Sequence, residues 1–184
     1  QPLKAAQSYE YLRVLGEADT ESLNALGDIY LKAQAMAAAA DAYSSAIGAA
    51  SGQPTDPYIQ KAKALARGGA IDDARALLTA IEAHAPEQLG ASQRKEILRV
   101  RAWMALQSGA DSEQAGLLEE IVRLDTMDGE ALISLGQYHR RAGDLEQAAF
   151  CFERAAGIAA SEGKARIHHA QLLVHQAKYE EAIP

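Results

Sequence analysis

A small residue followed four places later by a large one recurs along this chain at a nearly constant step. The small residue is Ala5, Ala39, Ala74, Ala148 and Ala182, with Gln114 replacing it once, so successive steps are 34, 35, 40, 34 and 34 residues. The large residue is Tyr9, Tyr43, Leu78, Leu118 and Phe152, and three places further stand Leu12, Ala46, Ile81, Ile121 and Ala155. Offsets of three and four put these side chains on one face of an α-helix. Residues 129–162 make the unit plain: two helix-forming runs joined by Ala142-Gly143-Asp144. Glycine suits a helix end, and Asp144 with Gln147 three residues on resembles a capping box for the next helix. The first run carries Leu132, Leu135, Gly136 and His139 at helical spacing, and its Leu-Gly pair recurs as Leu26-Gly27. One hairpin of this size cannot bury a stable core, so its copies must stack.

This pattern resembles the tetratricopeptide repeat, whose period is about 34 residues and whose two helices carry the same order of small and large positions. The resemblance covers nearly the whole chain. It implies an all-α fold, a right-handed superhelical solenoid of antiparallel helix pairs. Residues 1–19 read as the second helix of a truncated repeat, 20–53 and 55–88 as repeats, 89–94 as an insertion, 95–128 as an atypical repeat, 129–162 as a repeat and 163–184 as a truncated one. Together they form one array, expected to be a piece of a longer one. Thr20 is the expected N-cap of the first complete repeat, and Asp56-Pro57 a natural helix start. The turn at Gln34-Ala35 lacks the glycine found at Gly68-Gly69 and Gly143. Residues 89–94 form a longer loop or an extra helical turn, with Ser92 a candidate cap. In the atypical repeat, shifting the marker from Gln114 to Ala115 would restore a small residue but spoil Leu118 and Ile121, so the unshifted register is preferred.

Composition narrows the chemistry. Of the 184 residues 48% are hydrophobic but only 5% aromatic, which favours closely packed helices over strands. A net charge of −7 argues against a chain that grips nucleic acid or an anionic membrane. No apolar run reaches the roughly 18 residues of a spanning helix, so membrane insertion is not expected. The single cysteine, Cys151, lies between Phe150 and Phe152 and reads as an apolar packing residue. The compartment is left open, cytoplasmic or periplasmic, and the alanine-rich, lysine-poor style is that of a bacterial protein.

No catalytic constellation stands out. His168, His169 and His175 are the only histidine cluster, and the first and last lie about 10 Å apart on a helix, too far to share a metal unaided. His84 and His139 are isolated. Gly68-Gly69 lacks the following Lys-Ser or Lys-Thr of a phosphate loop. The acidic pairs Asp72-Asp73, Glu119-Glu120 and Glu180-Glu181 suit helix starts and wet surfaces. The chain is therefore expected to be non-catalytic, with no metal and no cofactor.

In tetratricopeptide arrays the first helices line a concave groove that commonly binds an extended peptide or a partner helix. By position, the resemblance assigns Asn24 and Asp28 to that groove, then Ile59, Gln60 and Lys63, then Arg99, Val100 and Trp103. Further along come Ile133, Gln137 and Arg140, and finally Ile167, His168 and Gln171. The amides could grip a peptide backbone, and the isoleucines could form apolar pockets. Trp103, the one tryptophan, either anchors a ligand or wedges between helices as core. The carboxylate clamp by which some family members hold chaperone tails is absent, because Asp28, Ile59 and Glu96 stand at its positions. The expected function is a protein-protein interaction scaffold with a protein or peptide partner. Self-association through exposed array ends is the alternative, as is substrate recruitment for a catalytic domain elsewhere.

Overall fold

The computed structural model describes residues 2–49, 54–84, 86 and 89–177. Among them are ten helices and no strand, so the all-α class is observed. The helices are α1 Pro2–Val14, α2 Thr20–Lys32, α3 Met36–Ala49, α4 Asp56–Arg67, α5 Ile71–His84, α6 Ala91–Gln107, α7 Asp111–Leu124, α8 Gly129–Ala142, α9 Leu145–Ala156 and α10 Glu162–His175. They divide into two compact units, Gln1–Val100 and Arg101–Pro184, with the border inside α6.

In the first unit α2 pairs with α3 and α4 with α5, α3 packs on α5, and α1 rests on α2. Tyr43, Leu65, Leu77, Leu78 and Ile81 are fully buried, at about 1.5–3 kcal/mol of transfer free energy each. Ala39 and Ala74 are fully buried too. In α1 the buried small residue is Ala6, whereas Ala5 is exposed. That helix packs on α2, and the face it buries is set by this neighbour. Asp19, not Thr20, caps α2: its carboxylate accepts from the Ser22 amide at 2.8 Å, and Thr20 is already helical. The charged acceptor one residue upstream takes the position. Residues 91–94 of the expected insertion form the first turn of α6, so Ser92 lies inside the helix rather than capping it. Gln93 there reaches Asp56 of α4, with Nε2 donating at 3.2 Å.

The hairpin turns share one backbone device. Gly69, Gly109 and Gly143 each have φ between 69° and 88°, and Gln34 takes the corresponding place with φ 60°. A side chain in this left-handed region meets its own carbonyl, at a cost of about 1–2 kcal/mol. Gln34→Gly is therefore expected to stabilise the first unit by about 1 kcal/mol, read as a higher urea midpoint with unchanged slope.

In the second unit α8 pairs with α9, α7 packs on α8, and α10 packs on both α9 and α8. The core joins Leu132, Ile133, Ala148, Phe152, Ala155, Ala165 and Leu172. Asp128 and Asp144 cap α8 and α9, each accepting from the amide three residues on at 3.1 Å. The irregular marker is resolved without a shift. Gln114 is buried and its Oε1 accepts from Arg141 Nη2 at 3.2 Å, while Leu118 and Ile121 remain buried on the same face. An amide is tolerated where alanine is usual because a guanidinium satisfies it. Cys151 is buried, and burial pushes its thiol above the ordinary range. Tyr179, Glu180, Glu181 and Ala182 lie outside the described residues.

Candidate interaction faces

In the first unit the glycine of the Leu-Gly pair makes a notch. A Cβ on Gly27 would sit 2.3 Å from Tyr43 Cε1, so the ring occupies the space a side chain would need. The Tyr43 hydroxyl donates to Asp28 Oδ1 at 2.7 Å. Lys61 of α4 lies over the same ring, its Nζ 4.1 Å from the centroid, and donates to Asp28 Oδ1 at 3.0 Å and Asn24 Oδ1 at 3.1 Å. Asn24 Nδ2 in turn donates to the Tyr58 hydroxyl and the Thr20 carbonyl, both at 2.9 Å. Burial, then the bond to Asp28, pushes the Tyr43 hydroxyl far above the usual phenol range. Further along, Lys63 Nζ donates to Glu96 at 2.9 Å, and Arg99 lies 3.7 Å from the same carboxylate.

The second unit repeats the arrangement with other side chains. A Cβ on Gly136 would meet Phe152 Cε1 at 2.6 Å. The His168 ring of α10 stacks on Phe152 with centroids 5.6 Å apart, and its Nε2 is 3.0 Å from Gln137 Nε2. Amide orientation and imidazole tautomer settle together which of the two donates. His168 Nδ1 is buried without a hydrogen-bond partner. In both units, then, a ring fills a glycine notch, the residue after the glycine is polar, and a nitrogenous side chain from the next first helix covers the ring. Among the described residues no group of three or more His, Cys, Asp and Glu side chains is placed to hold a metal ion. No helix among them is long and apolar enough to cross a membrane.

A family model described as "Anaphase-promoting complex, cyclosome, subunit 3" matches residues 109–184. No curated protein matches the chain. Among solved structures, one titled "Crystal structure of MamA" is similar with a TM-score of 0.63 and 16% identity, over 86% of this chain and 88% of that one. MamA AMB-1 gives 0.61 and 21%, covering 90% of this chain and 86% of that chain. BtubC (BKLC) from P. vanneervenii gives 0.56 and 19%, over 99% and 85%. The chain has the tetratricopeptide-repeat fold.

In tetratricopeptide terms α2, α4, α6, α8 and α10 are first helices, and the residues assigned to their open face differ in environment. Ile59, Val100 and Ile133 are buried, 1%, 4% and 7% exposed, so they are core and not open pockets. The helical period carries them inward against the second helices. Asn24, Asp28, Lys63 and Gln137 are engaged with neighbours inside their own unit, and the amides Asn24 and Gln137 already serve side chains. Exposed are Gln60 and Arg99 in the first unit, and Trp103, Ile167 and Gln171 in the second. Trp103 is 37% exposed and Ile167 59%, so both offer apolar surface. Arg140 is half-buried and has neither ion pair nor hydrogen bond among the described residues. Lys61 was not among the assigned positions, although it organises the α2–α4 face. Its signal in the sequence is indirect: tyrosine where phenylalanine would fill the notch, and aspartate beside the glycine, imply a hydroxyl–carboxylate pair and hence a charge to balance.

Proposed function

We propose that the chain is a non-catalytic interaction module, and that the first helices of the second unit carry its main contact surface for an extended peptide or a partner helix. The single observation that carries this is the pair of helices α8 and α10, where α10 exposes Ile167 and Gln171 and α8 carries Arg140, a cation without an ion-pair partner among the described residues. Exposed apolar surface on one helix and a guanidinium without an ion-pair partner among the described residues on the helix packed against it suit a segment with an aliphatic side chain and a carboxylate. In the first unit the charged groups of that face are paired with one another, so it offers less to a charged ligand.

The test is affinity capture from the source cell's lysate with the parent chain and an Arg140→Glu, Ile167→Asp variant, after both are shown to be equally helical. A protein retained by the parent and lost by the variant is the expected outcome. Equal retention by both would overturn the reading.

Self-association is a second reading, favoured by Tyr11 and Val14 of α1 and the adjoining Leu15, which are 66%, 82% and 51% exposed. A mass by light scattering that stays monomeric at rising concentration would dispose of it.

A further inference from the structure

We propose that the outward face of α9 is a second docking surface, fitted to a basic amphipathic segment of another protein. Phe150 lies there with 53% of its surface exposed. Two residues after the repeat marker, the same position is held by Asp41 in α3, Ala76 in α5 and Gly116 in α7, all exposed. The position faces solvent in each of these second helices, and the fold accepts a carboxylate, a methyl group or no side chain in it. Packing within the repeat therefore does not account for a phenyl ring at Phe150. A large exposed apolar side chain without a packing role is the mark of a contact surface.

The surroundings of the ring specify the partner's chemistry. Glu146 and Glu153 stand four residues before and three after Phe150, which places one carboxylate about a helical turn away on each side of the ring. Both are exposed. Glu146 has no ion pair among the described residues, and the group facing Glu153 is the His169 imidazole of α10, with Nε2 at 3.8 Å. Among the described residues Arg154 is the one cation packed on the ring, its guanidinium carbon 5.6 Å from the centroid, and it also reaches the Thr126 carbonyl at 3.5 Å. This holds Arg154 against the protein. Beside the carbonyl it reaches, Met127 is 63% exposed and Leu124, at the end of α7, 45%. The surface thus offers an aromatic ring between separated carboxylates, with exposed aliphatic side chains beside the carbonyl that Arg154 reaches. A helix placing a leucine or similar residue on Phe150, with lysine or arginine about one turn to either side, meets all three features. The net charge of −7 would steer such a segment and repel an anionic lipid surface.

The test uses the whole chain, isotope-labelled, and a helical peptide of about 18 residues built from leucine and lysine on a 3.6-residue period, with a leucine–glutamate peptide as counter-probe. Expected are saturable amide shifts centred on α9 for the lysine peptide, and none for the glutamate peptide. Phe150→Ser should weaken binding by ~10-fold or more while leaving the chain as helical as the parent, because more than half of the residue is exposed. Glu146→Lys with Glu153→Lys should weaken it and flatten its salt dependence. Shifts centred on α8 and α10, equal binding by either variant, or equal or absent binding of both peptides would each overturn the proposal. Because these variants leave Arg140, Ile167 and Gln171 in place, their failure would leave the capture experiment on the α8 and α10 face unaffected.

Discussion

Phe152→Ala is expected to cost about 3–5 kcal/mol, the largest single-residue effect in the second unit. The ring is fully buried, it fills the notch at Gly136, and the His168 imidazole stacks on its other side. Truncation leaves a cavity lined by parts of three helices, which cannot all collapse into it. The reciprocal change, Gly136→Ala, drives a methyl group to within 2.6 Å of the ring and should cost about 1–3 kcal/mol by overpacking. The two costs should not add, because the alanine side chain enters space that the missing ring has vacated. Hydrogen exchange of the α8 and α9 amides measures each variant without assuming that the whole chain unfolds as one. Strict additivity would show that notch and ring do not depend on each other.

Asp28→Ala is expected to lower the stability of the first unit by about 1–3 kcal/mol, since it removes the acceptor of the buried Tyr43 hydroxyl and the carboxylate facing Lys61. Adding Tyr43→Phe should recover part of the loss by removing the orphaned hydroxyl, whereas Lys61→Met alone should cost less than Asp28→Ala, because the Tyr43 hydroxyl keeps its acceptor. The same pair sets an alkaline limit. Folding raises the Tyr43 hydroxyl above its unfolded value of about 10. Its contribution is therefore complete below that value. It is lost as pH rises beyond it, where the unfolded chain releases a proton that the folded chain retains. Tyr30, raised by burial and Glu10, adds a slope of the same sign. Urea unfolding between neutral pH and about 11 should fall off less steeply in Tyr43→Phe than in the parent; equal slopes would remove Tyr43 from this account.

The helical class and the order of small and large positions were legible because period and volume are both written in the residues. Ala39, Ala74 and Ala148 are fully buried, and Tyr43, Leu78 and Phe152 follow them into the core. Gly27 and Gly136 show why leucine precedes glycine: the next helix places a ring on the missing side chain. What escaped the reading depends on partners distant in sequence. Ile59 and Ile133 have the spacing of an open face, but only the angle between packed helices decides whether such positions meet solvent or a neighbour. Lys61 lies 33 residues from Asp28, a separation at which no local pattern announces a bond. Gln114 looked like a fault in the register until Arg141, 27 residues on, supplied its donor. Asp19 and Thr20 are both good caps, and sequence alone does not rank adjacent candidates.

Cys151 gives the second unit a built-in reporter. It is the only thiol in the chain, it is buried on α9, and its pKa is raised by that burial. A thiol reagent meets it only when α9 lifts from its neighbours, so the labelling rate counts those excursions and nothing else in the molecule contributes to the signal. The chain thus carries a stopwatch for its own breathing at one helix, which a partner that clamps α9 should slow and one that binds elsewhere should leave running.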